Sequence, residues 1–265
     1  MSNEVLLNVH DGIARITLNR PGMLNALDEN FGNLLIKHSA ELRSNRELRC
    51  IILEGRGDHF CAGGDITMFK SMLDLRPTER QHHYQVFLSQ LHLAILNFMR
   101  TPAPVIARVQ GAAAGFGLSL VLAADLAVAA DDAKFTLAYS QIGLSPDGSS
   151  TYFLPRVVGL KKAKELAFFG DRFDAEEALR LGIVNQVAPL SELDSVVDGL
   201  AQKLAQGATQ ALGRTKFLLD RSLHNDVVTQ LEAETEAFAA GTASDDFLEG
   251  VNSFLEKRPP TFRGS

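Results

Sequence analysis

The stretch PVIARVQGAAAGFGLSLVLAAD, residues 104–125, decides how the rest of the chain is arranged. Val105–Val109 reads as a buried strand, residues 111–115 as a bend made only of glycine and alanine, and an apolar helix opens near Phe116. Such a joint has two readings. Small residues let two backbones pack closely. The same geometry presents the N–H groups of Gly115-Phe116-Gly117 at the positive end of a helix, ready for an oxyanion or a phosphate. Taken alone, the stretch favours neither.

The chain around it is long enough, at 265 residues, to bury a sizeable core as one large domain or one domain with an appendage. Its 46% apolar and 22% charged residues are ordinary for a globular protein. A net charge of −6 without a basic tract argues against nucleic acid or an anionic membrane as the main partner. An anionic ligand must therefore be held by local groups. Cys50 and Cys61 lack metal-ligand spacing and suit a reducing compartment. The start, MSNEVLLNVHDG, carries no export signal, and no apolar run is long enough to cross a bilayer. A cytoplasmic protein is expected.

Towards the N-terminus, residues 5–9 and Ile13–Leu18 flank a His10-Asp11-Gly12 hairpin turn. Asp28 caps a helix to about Ser44, and residues 50–53 form a short buried strand. The loop HFCAGGD, residues 59–65, leads into a short helix. Thr78 with Gln81 forms a capping box for a helix to about Met99. Beyond the central stretch come strands at Leu126–Ala130 and residues 134–137. The loop GLSPDGSS, residues 143–150, precedes a short helix ending at Pro155. A helix over Leu160–Phe169, a cap at Asp174 and a strand over residues 183–187 follow. From Leu190 onward the pattern is helical: residues 191–205, 209–223, 226–240 and 245–257. Strands alternating with helices predict an α/β architecture with right-handed crossovers. No linker interrupts the chain, so the expected division is a core over residues 1–190 and a helical region over 191–265.

A second glycine-rich bend changes the weight of the first. Ala62-Gly63-Gly64-Asp65 also follows a strand and opens a helix, about fifty residues upstream of Phe116. Two bends offering the amides of Gly64 and Phe116 are what an enzyme needs when charge develops on one carbonyl oxygen. Asp65 is the natural N-cap behind the first bend, which would help fix the Gly64 amide.

At this point the chain resembles the crotonase, or enoyl-CoA hydratase/isomerase, superfamily. The resemblance runs through five ordered segments: Leu18-Asn19-Arg20-Pro21 with Asn25-Ala26-Leu27; Phe60-Cys61-Ala62-Gly63-Gly64-Asp65-Ile66; residues 104–117; residues 143–148; and residues 178–187. It implies a spiral of ββα turns with a C-terminal α-helical trimerisation region, and an acyl-CoA thioester as substrate. No cofactor beyond the substrate's own coenzyme A and no metal are implied. The implied assembly is a homotrimer or a dimer of trimers. By the same resemblance, the peptide N–H groups of Gly64 and Phe116 hold the thioester oxygen. Met23, Leu24 and Ala62 line the coenzyme A arm; Asp65, Ile66 and Tyr139 border the substrate; and Lys257 meets a phosphate or is a solvated helix-end cation. Arg20, Arg56 and Lys70 are further candidate phosphate contacts.

Family members that hydrate a double bond place two glutamates around the attacking water. In this chain those positions hold Ser119 and Tyr139, and neither is a carboxylate. A carboxylate stands instead at Asp147, where the Δ3,Δ2-enoyl-CoA isomerases and the ring-opening isomerases of phenylacetate breakdown carry their single acid. Asp147 is also a reasonable turn residue after Pro146. One carboxylate suffices to move a double bond, because the proton removed beside the thioester can be returned two carbons further along. If Phe116, Leu144 and Phe153 crowd the site, desolvation would raise the Asp147 pKa. The expected activity is an enoyl-CoA isomerase with Asp147 as acid/base. The alternatives are an enoyl-CoA hydratase, or a homologue that binds acyl-CoA without chemistry.

Other motifs carry less. A dinucleotide fingerprint at Gly115-Phe116-Gly117 lacks its third glycine, with Leu120 in that place. Gly117-Leu118-Ser119-Leu120-Val121 lacks the last glycine of a nucleophile elbow. His82 and His83 are adjacent and cannot share a helix face, and the remaining histidines show no ligand spacing.

Overall fold

The computed structural model describes residues 3–265. Met1 and Ser2, the first residues of the start read above, lie outside it. β1 (Val5–His10) and β2 (Ile13–Leu18) form the expected hairpin, with Asp11 and Gly12 at φ of 49° and 75°. A two-residue hairpin of type I′ needs both turn residues in that left-handed region, which Asp-Gly tolerates. The Asp28 carboxylate then accepts the Phe31 amide at 2.9 Å and opens α1 (Glu29–Ser44). The chain continues through β3 (Cys50–Gly55), α2 (Ile66–Ser71), α3 (Pro77–Arg100), β4 (Val105–Val109), β5 (Ala112–Ala114) and α4 (Phe116–Ala123). Next come β6 (Leu126–Ala130), β7 (Lys134–Thr136), α5 (Ser150–Val158), α6 (Leu160–Phe169), β8 (Phe173–Asp174), α7 (Ala175–Arg180) and β9 (Gln186–Ala188). Four helices end it: α8 (Leu193–Ala205), α9 (Thr209–Ser222), α10 (Val227–Thr242) and α11 (Asp245–Glu256).

Two sheets result. The larger has the order β1-β2-β3-β4-β6-β9, antiparallel only at its first pair, as helical crossovers require. The smaller joins β5, β7 and β8, and Cys61 bridges to β5 opposite Ala113. The central strands β3, β4 and β6 are buried on both faces, so they read as largely apolar runs. Ile51 and Leu53 of β3 face the main core with Phe31, Phe60, Leu91 and Phe116. Cys50 and Ile52 face the other way, onto Leu193, Val197 and Ala201 of α8. The first of the four terminal helices is thus a core layer. Helices α9 to α11 bury almost nothing within the chain. The mixed α/β class and its helical C-terminal region stand as expected.

Several boundaries moved, each for a local reason. The bend at residues 111–115 contains a strand: Ala112–Ala114 pairs with Lys134–Thr136. The capping residues of α3 are Arg76 and Glu79, not Thr78 and Gln81; Pro77 sits at the first helical position and Glu79 Oε2 accepts the Arg76 amide at 3.2 Å. Helix α5 runs through Pro155 to Val158, because one missing amide does not end it and Gly159, at φ 77°, does. The strand expected over residues 183–187 begins only at Gln186. The Ile183 amide is committed to Ala178 O at 2.9 Å, and Asn185 exchanges two hydrogen bonds with Ala127 instead.

The tightest seam lies between Cys61 and α4. A Cβ on Gly117 would stand 2.1 Å from Cys61 O and 2.9 Å from Cys61 Cβ. Both atoms belong to the fully buried Cys61, the nearer to its main chain, and cannot yield cheaply. Gly117→Ala is expected to cost at least about 2 kcal/mol, seen as a lowered unfolding midpoint. Gly199→Ala, on the exposed side of α8 with nothing within 4 Å of the added carbon, should leave the midpoint level or raise it.

Candidate active site

The two bends run side by side. Cys61 N donates to Ala112 O at 3.0 Å, and Ala114 N returns a bond to Cys61 O at 2.9 Å. A Cβ on Gly63 would lie 2.9 Å from Ala114 O and 3.5 Å from Gly115 Cα, so two main chains touch where no side chain fits. Gly63 and Gly115 have φ of 94° and 50°, which also favours glycine. Leu27 donates to Gly63 O at 2.7 Å and accepts from Asp65 N at 2.9 Å, so the Gly64 N–H lies on the side away from Leu27. The Phe116 N–H is the first of α4, where no intrahelical acceptor exists. Among the described residues neither amide has a hydrogen-bond partner.

Asp65 secures the first bend. Its side chain caps α2 at Thr67 N, 2.8 Å away, and accepts Arg20 Nη2 at 3.1 Å. Burial pushes the Asp65 carboxyl up, but the Thr67 amide and the Arg20 guanidinium outweigh it and hold the group below the usual carboxylate range. Arg20 is only 14% exposed and also grips Asp28 at 3.0 Å and Ala26 O at 2.5 Å. It is spent within the fold rather than free for a phosphate.

The second half of the site is a cluster around Asp147. Tyr139, in the 3-10 turn Tyr139–Ile142, donates its hydroxyl to Asp147 Oδ1 at 2.5 Å and lies 3.4 Å from Ser119 Oγ. Ser119, on α4, donates to the Asp147 main-chain carbonyl at 2.9 Å, as does Ser150 at 2.9 Å. His92 of α3 accepts the Gly148 amide on Nε2 at 3.3 Å. A Cβ on Gly148 would be 2.8 Å from Phe116 Cδ2, and one on Gly115 would be 3.7 Å from Tyr139 Cζ. These contacts set the cluster against the second bend. Burial raises the Asp147 carboxyl above its ordinary value, against the opposing pull of Tyr139 and His92.

Met23, Leu24 and Ala62 come together as expected of neighbours, with Ala62 N donating to Leu24 O at 3.0 Å. Met23 and Leu24 are exposed, as is Ile66. Phe69 of α2 covers Gly64, its ring 2.7 Å from where a Cβ would be. Lys257 ends α11, exposed and remote in contact from both bends, while Arg56 and Lys70 are exposed. Burial pushes the Cys61 thiol up to about 12, which removes it as a nucleophile. Among the described residues no three His, Cys, Asp or Glu are grouped to hold a metal ion. Sequence reasoning passed over the roles of His92 and Ser150. Tyr84, Leu88 and His92 recur every four residues on one face of α3, a spacing that places His92 on that face without naming its partner.

Residues 8–265 match the sequence profile of the enoyl-CoA hydratase/isomerase family. A Rhodobacter capsulatus protein named "Probable enoyl-CoA hydratase" is 37% identical over 99% of this chain and 98% of its own length. The 1,2-epoxyphenylacetyl-CoA isomerase of Escherichia coli K12 is 34% identical over the whole of both chains. The crystal structure of an enoyl-CoA hydratase from Polaromonas sp. JS666 superposes with a TM-score of 0.90 at 33% identity, covering 97% of this chain and 99% of that one.

Arg20 links two carboxylates to the first bend, so its loss is a test of that anchor. Arg20→Met should destabilise the protein by about 3 kcal/mol at neutral pH, because Asp28 and Asp65 lose their shared cation. A carboxylate held below its ordinary value lends stability above its unfolded pKa and loses it as pH falls through the folded one. The deficit of the variant should therefore shrink between about pH 7 and pH 3, measured by urea unfolding across that range.

Proposed function

The chain belongs to the enoyl-CoA hydratase/isomerase family, the crotonase superfamily, and from that premise we propose that it is an enoyl-CoA isomerase working through a thioester dienolate. The observation that carries this reading is the lone carboxylate of Asp147, which accepts the Tyr139 hydroxyl while Ser119 donates to the Asp147 main-chain carbonyl; Tyr139 and Ser119 stand at the two positions where a hydrating enzyme would hold glutamates. With one carboxylate there is one proton to move. Asp147 takes a proton from the carbon beside the thioester carbonyl, and the bonding pair passes to the thioester oxygen. The same proton then returns two carbons along, and the electrons flow back to leave the double bond shifted.

The Gly64 and Phe116 amides are the proposed donors to the dienolate oxygen. Each would contribute roughly 3–4 kcal/mol to the intermediate, the scale of oxyanion-donor deletions in other enzymes. The positive end of α4 adds to the second donor. Raised by burial, Asp147 is a better base than a solvated aspartate. Met23, Leu24, Ala62 and Ile66 would border the coenzyme A arm and acyl chain, with no cofactor beyond the substrate's own. The chain would act as a homotrimer or a dimer of trimers, with Lys257 available to a phosphate of coenzyme A. Exposed apolar residues of α10 and α11, Phe238 at 77% and Phe254 at 83% among them, support association.

The assay offers a 3-enoyl-CoA and a 2-enoyl-CoA. Conjugation of the first without a mass change is expected. Addition of one water to the second would favour a hydratase instead, and binding without either product a non-catalytic homologue. Asp147→Asn should lower turnover by at least about 10³-fold. The base must be ionised, so the wild-type rate should fall as pH drops through a value above the ~3.9 of a free aspartate.

A further inference from the structure

Four bonds fix the main chain around Asp147 and one fixes its side chain. The carbonyl accepts Ser119 Oγ and Ser150 Oγ, both at 2.9 Å, and Ser150 N at 3.2 Å. The next amide, Gly148 N, is bound to His92 at 3.3 Å. None of these reaches the carboxylate. That group is held by the Tyr139 hydroxyl on Oδ1 at 2.5 Å, while among the described residues no other residue donates to Oδ2. Tyr139 is itself immobilised. Its amide donates to Leu137 O at 2.7 Å, its carbonyl accepts Leu144 N at 3.0 Å, and its ring faces Gly115.

The geometry points to Tyr139 as a positioning residue that divides the two oxygens of Asp147, tying Oδ1 and turning Oδ2 to the reacting carbons. This rests on the isomerase reading for what Oδ2 does, but not for how the carboxylate is held. Burial and the neighbouring Asp147 carboxylate push the phenol far above its ordinary pKa. It therefore stays protonated through the working range, a permanent donor rather than a proton shuttle. A donor to the ionised carboxylate stabilises that form and partly offsets the burial that raises Asp147. The titratable groups that face Asp147 are Tyr139 and His92 from α3; α4 contributes Ser119 and Phe116, and α5 contributes Ser150, none of which ionises here.

The direct test is a titration of the Asp147 side-chain carbon by 13C NMR in the unliganded full chain, with Asp147→Asn identifying the resonance. Tyr139→Phe keeps the ring and removes the hydroxyl. His92 is unchanged in the comparison, so the difference belongs to the phenol. The Asp147 midpoint should rise by about one pH unit. The acid limb of kcat should move with it, kcat should fall about tenfold at its optimum, and KM should change little. Should Tyr139→Phe fail to fold, 3-fluorotyrosine at position 139, a stronger donor of nearly equal size, should lower the midpoint. A midpoint that stays put in a folded variant, or a raised KM with kcat intact, overturns the assignment. Failure of the parent reading looks different: the wild-type enzyme would give no double-bond shift, or Asp147→Asn would retain it, whatever the NMR midpoint does.

Discussion

Main chain touching main chain at Gly63 and Gly115 is the constraint on which the rest of the molecule depends. Hydrogen bonds from Cys61 to both ends of β5 bring the bends together, and a Cβ at Gly63 or Gly117 would drive them apart. Main-chain donors gain from this arrangement in a way that side chains would not. They need no rotamer to be fixed, and the sheets on either side already hold their direction. Building the proposed oxygen site from peptide groups also explains why so little of it is visible as polar sequence: the residues proposed to supply it are glycine and phenylalanine.

The carboxylate obeys the opposite logic. A base is useful near neutral pH only when something lifts its pKa, and burial does so at the risk of neutralising it altogether. Around Asp147 burial is opposed by the Tyr139 hydroxyl on the carboxylate and by the nearby His92, while two serine hydroxyls hold only its main chain. A lysine or arginine in their place would hold the carboxylate fully ionised and weak as a base. Cations are gathered instead at the first bend, where Arg20 holds Asp65 and Asp28 and the charge serves only to anchor.

What the sequence disclosed, and what it withheld, divides along the same line. Local geometry was legible: the Asp11-Gly12 turn, the Asp28, Asp65 and Asp174 caps, and the small-residue bends are each set by neighbours in the chain. Contacts across the fold were not. His92 and Gly148 are 56 residues apart, and nothing in the helical stripe distinguishes a histidine that receives a buried amide from one that fills space. Arg20 was read as a candidate phosphate contact because its carboxylate at Asp65 lies 45 residues on. The late start of β9 has a similar cause, since the Ile183 and Asn185 amides are claimed by Ala178 and Ala127 before a ladder can begin. The Ser119–Tyr139–Asp147 cluster was legible only as three positions, not as one bonded group.

That cluster bears on how one scaffold supports more than one reaction. Relatives over the full length of this chain carry both hydratase and isomerase names. Ser119 comes from a helix, Tyr139 from a 3-10 turn and Asp147 from the loop before α5, yet all three meet at one place beside the second bend. Under the proposed reading, a carboxylate introduced at any of them would face the same reacting carbons under the same pair of amides. Changing the reaction then requires moving an acid among three neighbouring positions. The seam proposed to hold the thioester oxygen can stay fixed, because its glycines have no substitute that the packing would accept.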